Sequence, residues 1–332
     1  MSELSYSDKH YFGSYDHFGI HEEMLKDEVR TVAYRDAMYH NRDLFKDKIV
    51  LDVGCGSGIL SMFAANAGAK HVIGVDMSNI IDLARQVVAA NGLSDKITLI
   101  QGKMEEVELP FPKVDIIVSE WMGYFLLFEA MVETVIYARD RYLVEGGLIL
   151  PDKCTMLMAS LEDADYKQEK IGYWDNVYGF NYTPFKKIAL AEPLVDIVEM
   201  KALVSSPCQF NELNLYTLTK EDLSFTKSFE LVTARPDYVH GFVVWFDTEF
   251  NHGKRATKFS TGPHAWYTHW KQTVFYTDSD AIAVGVDDVI KGEITVKPNA
   301  ENPRDMDITL EYCVEEKGGK TSSKKISHYC MK

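Results

Sequence analysis

Between Lys48 and Pro151 the chain alternates short apolar runs with longer stretches of helical period. The runs are Ile49–Val53, His71–Val75, Ile97–Ile100, Val114–Val118 and Leu148–Leu150. A strand with one wet face alternates apolar and polar residues, and these runs do not. Apolar strands covered on both faces and separated by helices predict a parallel, doubly wound sheet. After Pro151 the period becomes two, in Leu223–Leu231, Phe242–Phe246, Ile294–Val296 and Ile308–Val314. In the last of these Ile308, Leu310, Tyr312 and Val314 face one way, while Thr309, Glu311 and Cys313 face the other. That is the pattern of antiparallel strands with one solvated face. The change predicts a domain boundary near Pro151. A helical pattern also starts near His21, with Met24, Leu25, Val29, Val32 and Ala33 on one stripe. From Tyr166 to Pro193 an aromatic-rich stretch interrupts the strands (Tyr173, Trp174, Tyr178, Phe180, Tyr182, Phe185). It predicts a helical insertion, either projecting as an arm or folded into the core.

Composition narrows the function. A chain of 332 residues suggests two domains, and 46% apolar residues suffice for a core, which sets intrinsic disorder aside. Lys plus Arg is 35 against 50 Asp plus Glu, a net charge of −15. That balance repels a nucleic-acid backbone and suits a cationic polypeptide, unless it serves solubility alone. The apolar stretch Trp121–Phe128 is too short to cross a bilayer, and Met1–His10 has no apolar signal core. An intracellular protein without membrane contact is expected. Cys55, Cys154, Cys208, Cys313 and Cys330 are odd in number and scattered, without a CxxC pair. Neither a disulfide framework nor a thiolate zinc site is indicated. His17 and His21 lie four apart without a third ligand at metal spacing, so no metal is expected.

The first apolar run leads into Asp52-Val53-Gly54-Cys55-Gly56-Ser57-Gly58. Glycines after a strand allow a tight turn and close approach of backbone to ligand. A dinucleotide fingerprint, GxGxxG, needs Gly or Ala at position 59, which here is Ile59. The second run ends in Asp76, whose carboxylate can accept both hydroxyls of a ribose. An altered NAD loop and an S-adenosyl-L-methionine loop both remain open. The latter has no pyrophosphate to cradle and fits the spacing better. Ser78 is expected to cap the helix that follows. Glu105 follows the third run and is placed to meet an adenine ring, or else is a surface acid.

Glu120 ends the fourth run, where open α/β sheets bind ligands. Gly123 lets the chain reverse, so Glu129 can return to face Glu120 across an apolar wall. Two neighbouring carboxylates repel, and a planar guanidinium with forked donors suits such a pair. The alternative is two solvated loop acids.

With Val-Leu-Asp-Val-Gly-Cys-Gly-Ser-Gly at 50–58, Ser-Glu-Trp-Met-Gly-Tyr at 119–124, its partner Glu129, and Thr268-His269-Trp270, the chain resembles the type I protein arginine methyltransferases, in a fungal-type version. The resemblance runs from about Tyr11 to Tyr312. It implies a Rossmann-like adenosylmethionine-binding domain at 48–151. Cofactor-closing helices precede it at 1–47, and a β-barrel-like substrate domain follows at 152–332. The arm at about 166–193 becomes a dimerisation arm, and a homodimer or larger homo-oligomer is expected. S-adenosyl-L-methionine becomes the cofactor. Its implied contacts are His21, Arg30, Asp52, Gly54, Gly56, Asp76, Glu105, Met131 and the lid aromatics Phe12 and Tyr15, alongside the lid's Tyr11. The ribose acid is Asp76 where many relatives have Glu, a shorter reach with the same charge. Glu120 and Glu129 match the substrate-binding glutamates, and Met24, Met131 and Trp270 the pocket. His269 matches a loop histidine paired with Asp27. Either that histidine or Glu129 takes the product proton. The implied substrates are Arg-rich proteins, namely RNA-binding proteins and histone tails, in nucleus and cytoplasm. A small-molecule methyltransferase and a non-catalytic dimeric scaffold are the competing functions.

Overall fold

The computed structural model describes residue 13, residues 15–278 and residues 281–332. Three helices come first: α1 (Phe18–Lys26), α2 (Glu28–Tyr39) and the short α3 (Arg42–Phe45). The helical pattern begins three residues ahead of His21 and is interrupted at Asp27. Only part of the expected stripe is buried: Ala33 is buried and Val29 packs against the core, whereas Leu25 is 41% and Val32 37% exposed. Beside Ala33, α2 buries Arg30, Tyr34, Ala37 and Met38. Asp27 accounts for the break: its extended backbone and its side chain cap the N-terminus of α2.

A Rossmann-like unit follows: β1 (Ile49–Val53), α4 (Ile59–Ala67), β2 (His71–Asp76), α5 (Ile80–Ala90), β3 (Ile97–Gln101), β4 (Val114–Ser119), α6 (Val132–Tyr142) and β5 (Leu143–Leu150). All five apolar runs are strands of one parallel sheet, in the order β3-β2-β1-β4-β5. The order reverses between β1 and β4, and a crevice opens beyond the carboxyl ends of strands at such a point. Val53 pairs with Ser119, so the glycine loop and Glu120 leave adjacent strands side by side. Ser119 Oγ donates to Val53 O at 2.8 Å and pins that exit. Ser78 does not cap α5: its hydroxyl donates to Asp76 instead, and Asn79 holds the cap position.

The remaining elements are β6 (Lys153–Leu161), α7 (Ala164–Lys170), α8 (Thr183–Ala191), β7 (Leu194–Asp196), β8 (Cys208–Asn214), β9 (Phe225–Val232), β10 (Asp237–Val239), β11 (Gly241–Phe250), β12 (Thr257–Ser260), β13 (Gln272–Tyr276), β14 (Ile282–Val284), β15 (Val289–Pro298), β16 (Met306–Glu315) and β17 (Lys325–Met331). Among the described residues they form a six-stranded sheet centred on β11, a four-stranded sheet β17-β16-β15-β9, and the small pair β10-β14. All their pairings are antiparallel. Ring contacts join the two larger sheets across an apolar core: Phe242 meets Tyr312 at 5.0 Å and Phe229 at 5.9 Å, and Phe275 meets Tyr329 at 5.0 Å. In β16 residues 308, 310, 312 and 314 are buried, as their period predicts.

The insertion is helical, with α7, a 3-10 turn at Gly172–Asp175, and α8. Of its aromatics Tyr166 packs against the barrel's core, but those at the far end do not. Tyr178 is 94% and Phe180 69% exposed, while Trp174 stacks on Phe185 at 5.2 Å.

Candidate active site

A cavity of about 310 Å³ lies beyond the ends of β1, β2 and β4. Its floor is the glycine loop. Gly54, Gly56 and Gly58 have φ of 71°, 50° and 82°, in the left-handed region where a side chain is strained. A Cβ on Gly54 would stand 2.3 Å from the Met131 methyl carbon, so Met131 packs directly against the loop. At one end lies Asp76. Its Oδ1 accepts from Ser78 N and Oγ, and its Oδ2 from Gly56 N at 2.8 Å. Oδ2 keeps acceptor capacity for an incoming hydroxyl, because each carboxylate oxygen has two lone pairs. Glu105 also lines this part of the cavity. The bare loop and a cavity-lining acid that can accept another donor fit an adenosyl group with its ribose.

Glu120 and Glu129 both line the cavity. The chain between them doubles back tightly. Gly123 N donates to Leu126 O at 3.1 Å, and Phe128 N to Tyr124 O at 2.9 Å. A Cβ on Gly123 would stand 1.7 Å from Phe128 O, so only glycine fits. Phe125, Leu126 and Glu129 have φ of 54°, 66° and 55°. These strained conformations persist because the loop is clamped by its core. Trp121, Phe125 and Leu126 are buried, and Phe125 meets Phe275 of β13 at 5.4 Å.

Arg30 lines the same cavity and is engaged with Glu120. Its Nη2 and Nε donate to Glu120 Oε2 at 2.8 and 3.0 Å, and its Nη1 to Met24 O at 3.3 Å. His21, with Nε2 2.8 Å from Tyr15 O, lies beside Gly56, and both His21 and Tyr15 line the wall with Met24. Phe12 and Tyr11 lie outside the described residues.

His269 lines the cavity from the barrel side. Its backbone N and ring Nδ1 both reach Asp27 Oδ2, at 2.9 and 2.8 Å, while Asp27 Oδ1 accepts from Arg30 N at 3.0 Å. Burial alone would raise the Asp27 carboxyl. The hydrogen bonds from His269 and from the two backbone N–H groups outweigh it and hold the carboxyl below its ordinary value. An ionised Asp27 accepts Nδ1–H, which leaves His269 Nε2 as the basic nitrogen.

Two expected contacts stand behind the wall rather than on it. Asp52 is buried under the loop, where Ser61 Oγ of α4 donates to its Oδ2 at 2.6 Å. Period two on β1 turns Val53 to the cavity and Asp52 away from it. Burial pushes the Asp52 carboxyl up to about 7, opposed by the Ser61 bond and helped by nearby Asp76. Trp270 is also buried. Its Nε1 donates to Met122 O at 3.0 Å, so it props the glutamate loop. Asp27, with a side chain 1% exposed, likewise acts through His269. Lys103, Thr134 and Arg304 also line the cavity and carry no sequence motif. Arg304 arrives on the β15–β16 turn, and only the tertiary packing brings it there.

Known proteins match both halves. A family model described as Methyltransferase domain covers residues 50–147, and one described as Arginine methyltransferase oligomerization subdomain covers residues 152–317. Protein arginine N-methyltransferase 1 of Saccharomyces cerevisiae is 58% identical over 98% of this chain and 94% of its own length. The Schizosaccharomyces pombe protein of the same name is 59% identical over 91% of this chain and 89% of its own. Among solved structures, the enzyme–prozyme heterotetrameric complex of Trypanosoma brucei protein arginine methyltransferase 1 with AdoHcy superposes with a TM-score of 0.92. It is 45% identical and covers 96% of this chain and 100% of that one. Arabidopsis thaliana protein arginine methyltransferase 10 gives a TM-score of 0.87 at 30% identity, over 97% of this chain and 100% of its own. This chain therefore carries an oligomerisation subdomain. It belongs to the type I protein arginine N-methyltransferases, enzymes that move methyl groups from S-adenosyl-L-methionine to arginine nitrogens of proteins.

Proposed function

We propose that Glu120 and Glu129 hold the guanidinium of a protein arginine for methyl transfer, beside a cofactor laid along the glycine loop. The observation that carries this reading is the shared cavity: both acids line it together with Gly54, Gly56 and Asp76. Asp76 would take the ribose hydroxyls, Glu105 the adenine, and Arg30 and His21 the methionine end. S-adenosyl-L-methionine, when bound, supplies an electrophilic methyl on its sulfonium.

A free guanidinium is a poor nucleophile because its lone pairs are delocalised. Two carboxylates draw the positive charge toward themselves and leave one nitrogen with more lone-pair character. Among the described residues no hydrogen bond reaches Glu120 Oε1, so that oxygen is open to a substrate N–H. Fixing the guanidinium in line accounts for much of the acceleration, up to about 7–11 kcal/mol in well-oriented systems. The proton released after transfer goes to His269 Nε2, whose Nδ1–H is fixed by Asp27.

The arm, with exposed Tyr178 and Phe180, would seat on a second copy to give a homodimer. On the family reading the substrates are Arg-Gly-rich RNA-binding proteins and histone tails, in nucleus and cytoplasm. The test is methyl transfer from labelled cofactor to an Arg-Gly-rich peptide, with mass spectrometry of the product. Asymmetric dimethylarginine is expected. Loss of transfer in both Glu120→Gln and Glu129→Gln, with AdoHcy binding kept, would support the paired acids, and full turnover in either would exclude them.

A further inference from the structure

The arm leaves the barrel through Glu162 and Asp163, between the end of β6 and the start of α7. Asp163 holds the N-cap position of α7, yet its side chain makes no cap bond. The carboxylate is used elsewhere: Oδ2 accepts from the Tyr276 hydroxyl of β13 at 2.6 Å. The backbone N of Asp163 donates to His240 Nδ1 at 3.2 Å. His240 stands between β10 and β11 and is only 9% exposed. Its backbone is fixed on both sides: His240 N donates to Leu161 O at 2.9 Å, and Thr277 N to His240 O at 3.1 Å. A ring nitrogen that accepts from an N–H carries no proton, so His240 is neutral with its hydrogen on Nε2. A proton on Nδ1 would set two donors face to face and break the bond to Asp163. Another acceptor, Glu162 Oε1, lies 3.7 Å from Nδ1.

We propose that His240 is a proton-sensitive latch on the arm. Neutral, it fixes the turn that starts α7; protonated, it swings to Glu162 and frees that turn, so acid weakens the seat of the arm on a second copy. This rests on the reading that the arm joins two copies. Among the described residues, the charged groups facing His240 are Glu162, Asp163 and Lys167 at the base of the arm and Asp237 of β10, itself paired with Arg235 Nε at 2.7 Å. Tyr276 of β13 faces it through Asp163. Burial holds the ring below its ordinary 6.5 and Lys167 acts the same way, against Glu162, Asp163 and Asp237. The contribution of the neutral ring is therefore complete above 6.5 and is lost as pH falls through the lower folded value. Other ties at the base involve no imidazole: Tyr166 donates to Asp196 Oδ2 at 2.5 Å, and Lys167 Nζ to Thr277 Oγ1 at 3.4 Å. Opening the latch thus loosens the arm without unfolding the barrel.

The experiment compares the full chain at about pH 7.5 and about pH 5.5, a range that spans histidine titration. Ultracentrifugation reads the dimer dissociation constant, and hydrogen exchange, corrected for intrinsic rates, reads protection at residues 162–171. In wild type, acid should raise the dissociation constant about 5–100-fold and lower that protection by a similar factor, as when a buried donor loses its acceptor. His240→Asn puts an amide oxygen, which accepts without titrating, in place of Nδ1, and should remove most of the response. The Asp163 carboxyl, raised by burial, stays titratable in that variant, so the two groups are told apart. Glu162→Gln removes a charge that favours the protonated ring and should move the transition to lower pH. The latch is overturned by a wild type without acid response, by an equal response in His240→Asn, or by a midpoint that Glu162→Gln leaves in place. Loss of protection with an unchanged dissociation constant would support the latch and overturn instead the seating of the arm on a second copy.

Discussion

Arg30 donates through Nη2 and Nε to one and the same oxygen of Glu120, at 2.8 and 3.0 Å, with both side chains only 7% exposed. One of the two acids proposed to hold the substrate therefore already carries a resident guanidinium. The pair ties α2 to the exit of β4, and it leaves one Glu120 oxygen for substrate. Neutralising either acid should abolish methylation. Glu120→Gln loses a charged acceptor from a buried pair and should lose about 1.5–3 kcal/mol in denaturant unfolding. An unchanged unfolding midpoint in Glu120→Gln would contradict this.

Gly123→Ala places a methyl group against Phe128 O, a contact that backbone cannot yield without moving the loop. It should lower stability by about 3 kcal/mol or more and remove methyl transfer. AdoHcy binding, measured by calorimetry, should survive in whatever fraction folds, since the glycine loop follows β1 and is separate from the Gly123 reversal.

Asp27→Asn separates proton acceptance from binding. An amide in place of the carboxylate no longer fixes the His269 tautomer, so kcat should fall roughly 10²–10⁴-fold with little change in AdoHcy affinity. The stability effect has a defined pH window. The folded carboxyl is held below its ordinary 3.8, so its contribution is present above that pH and is lost as pH falls through the folded value. The stability gap between wild type and variant should be constant from neutral pH down to about 4, then close.

Asp52 has the opposite sign. Its carboxyl is raised from 3.8 to about 7, so ionising it opposes folding. Its favourable, protonated contribution is complete below about pH 4 and is lost as pH rises through 7. Asp52→Asn should therefore become more stable than wild type as pH rises from 4 to 8, by up to the order of 4 kcal/mol. Parallel urea titrations at pH 4.5 and 8 would read this, and a gap independent of pH would refute it.

The net charge of −15 should steer basic peptides to the cavity. Raising salt from 50 to 300 mM, chosen to shorten the screening length, should raise KM for an Arg-rich peptide more than it changes kcat. A KM indifferent to salt would return the surplus charge to a role in solubility.

Much of this was legible in the chain. Apolar runs announced the parallel sheet, and the glycine spacing with Asp76 announced the turn that floors the cavity, because strand and turn chemistry are local. Gly123 between Glu120 and Glu129 announced a reversal for the same reason. The break at Asp27 was hidden, since the helical period continues through it and only the cap geometry reveals it. Asp52 reads like a ligand because it adjoins the glycines, yet strand alternation turns it under the loop. The arm aromatics read equally well as core, because composition cannot say which side of a helix finds a partner. The Arg30–Glu120 pair, the Trp270 prop and the arrival of Arg304 were invisible, since each joins segments that meet only in the tertiary structure.

The bond between His269 and Asp27 spans 242 positions of the chain. During synthesis the acid emerges early and the histidine close to the end, with both substrate glutamates between them. The cofactor loop and its sheet can form while the barrel is still unmade, since domains fold largely as units in order of emergence. A nascent or half-folded chain would thus bind its cofactor without being able to complete a turnover. On the proposed reading, catalytic competence is the last property the polypeptide acquires, and any local opening that frees the 261–269 segment would remove it first.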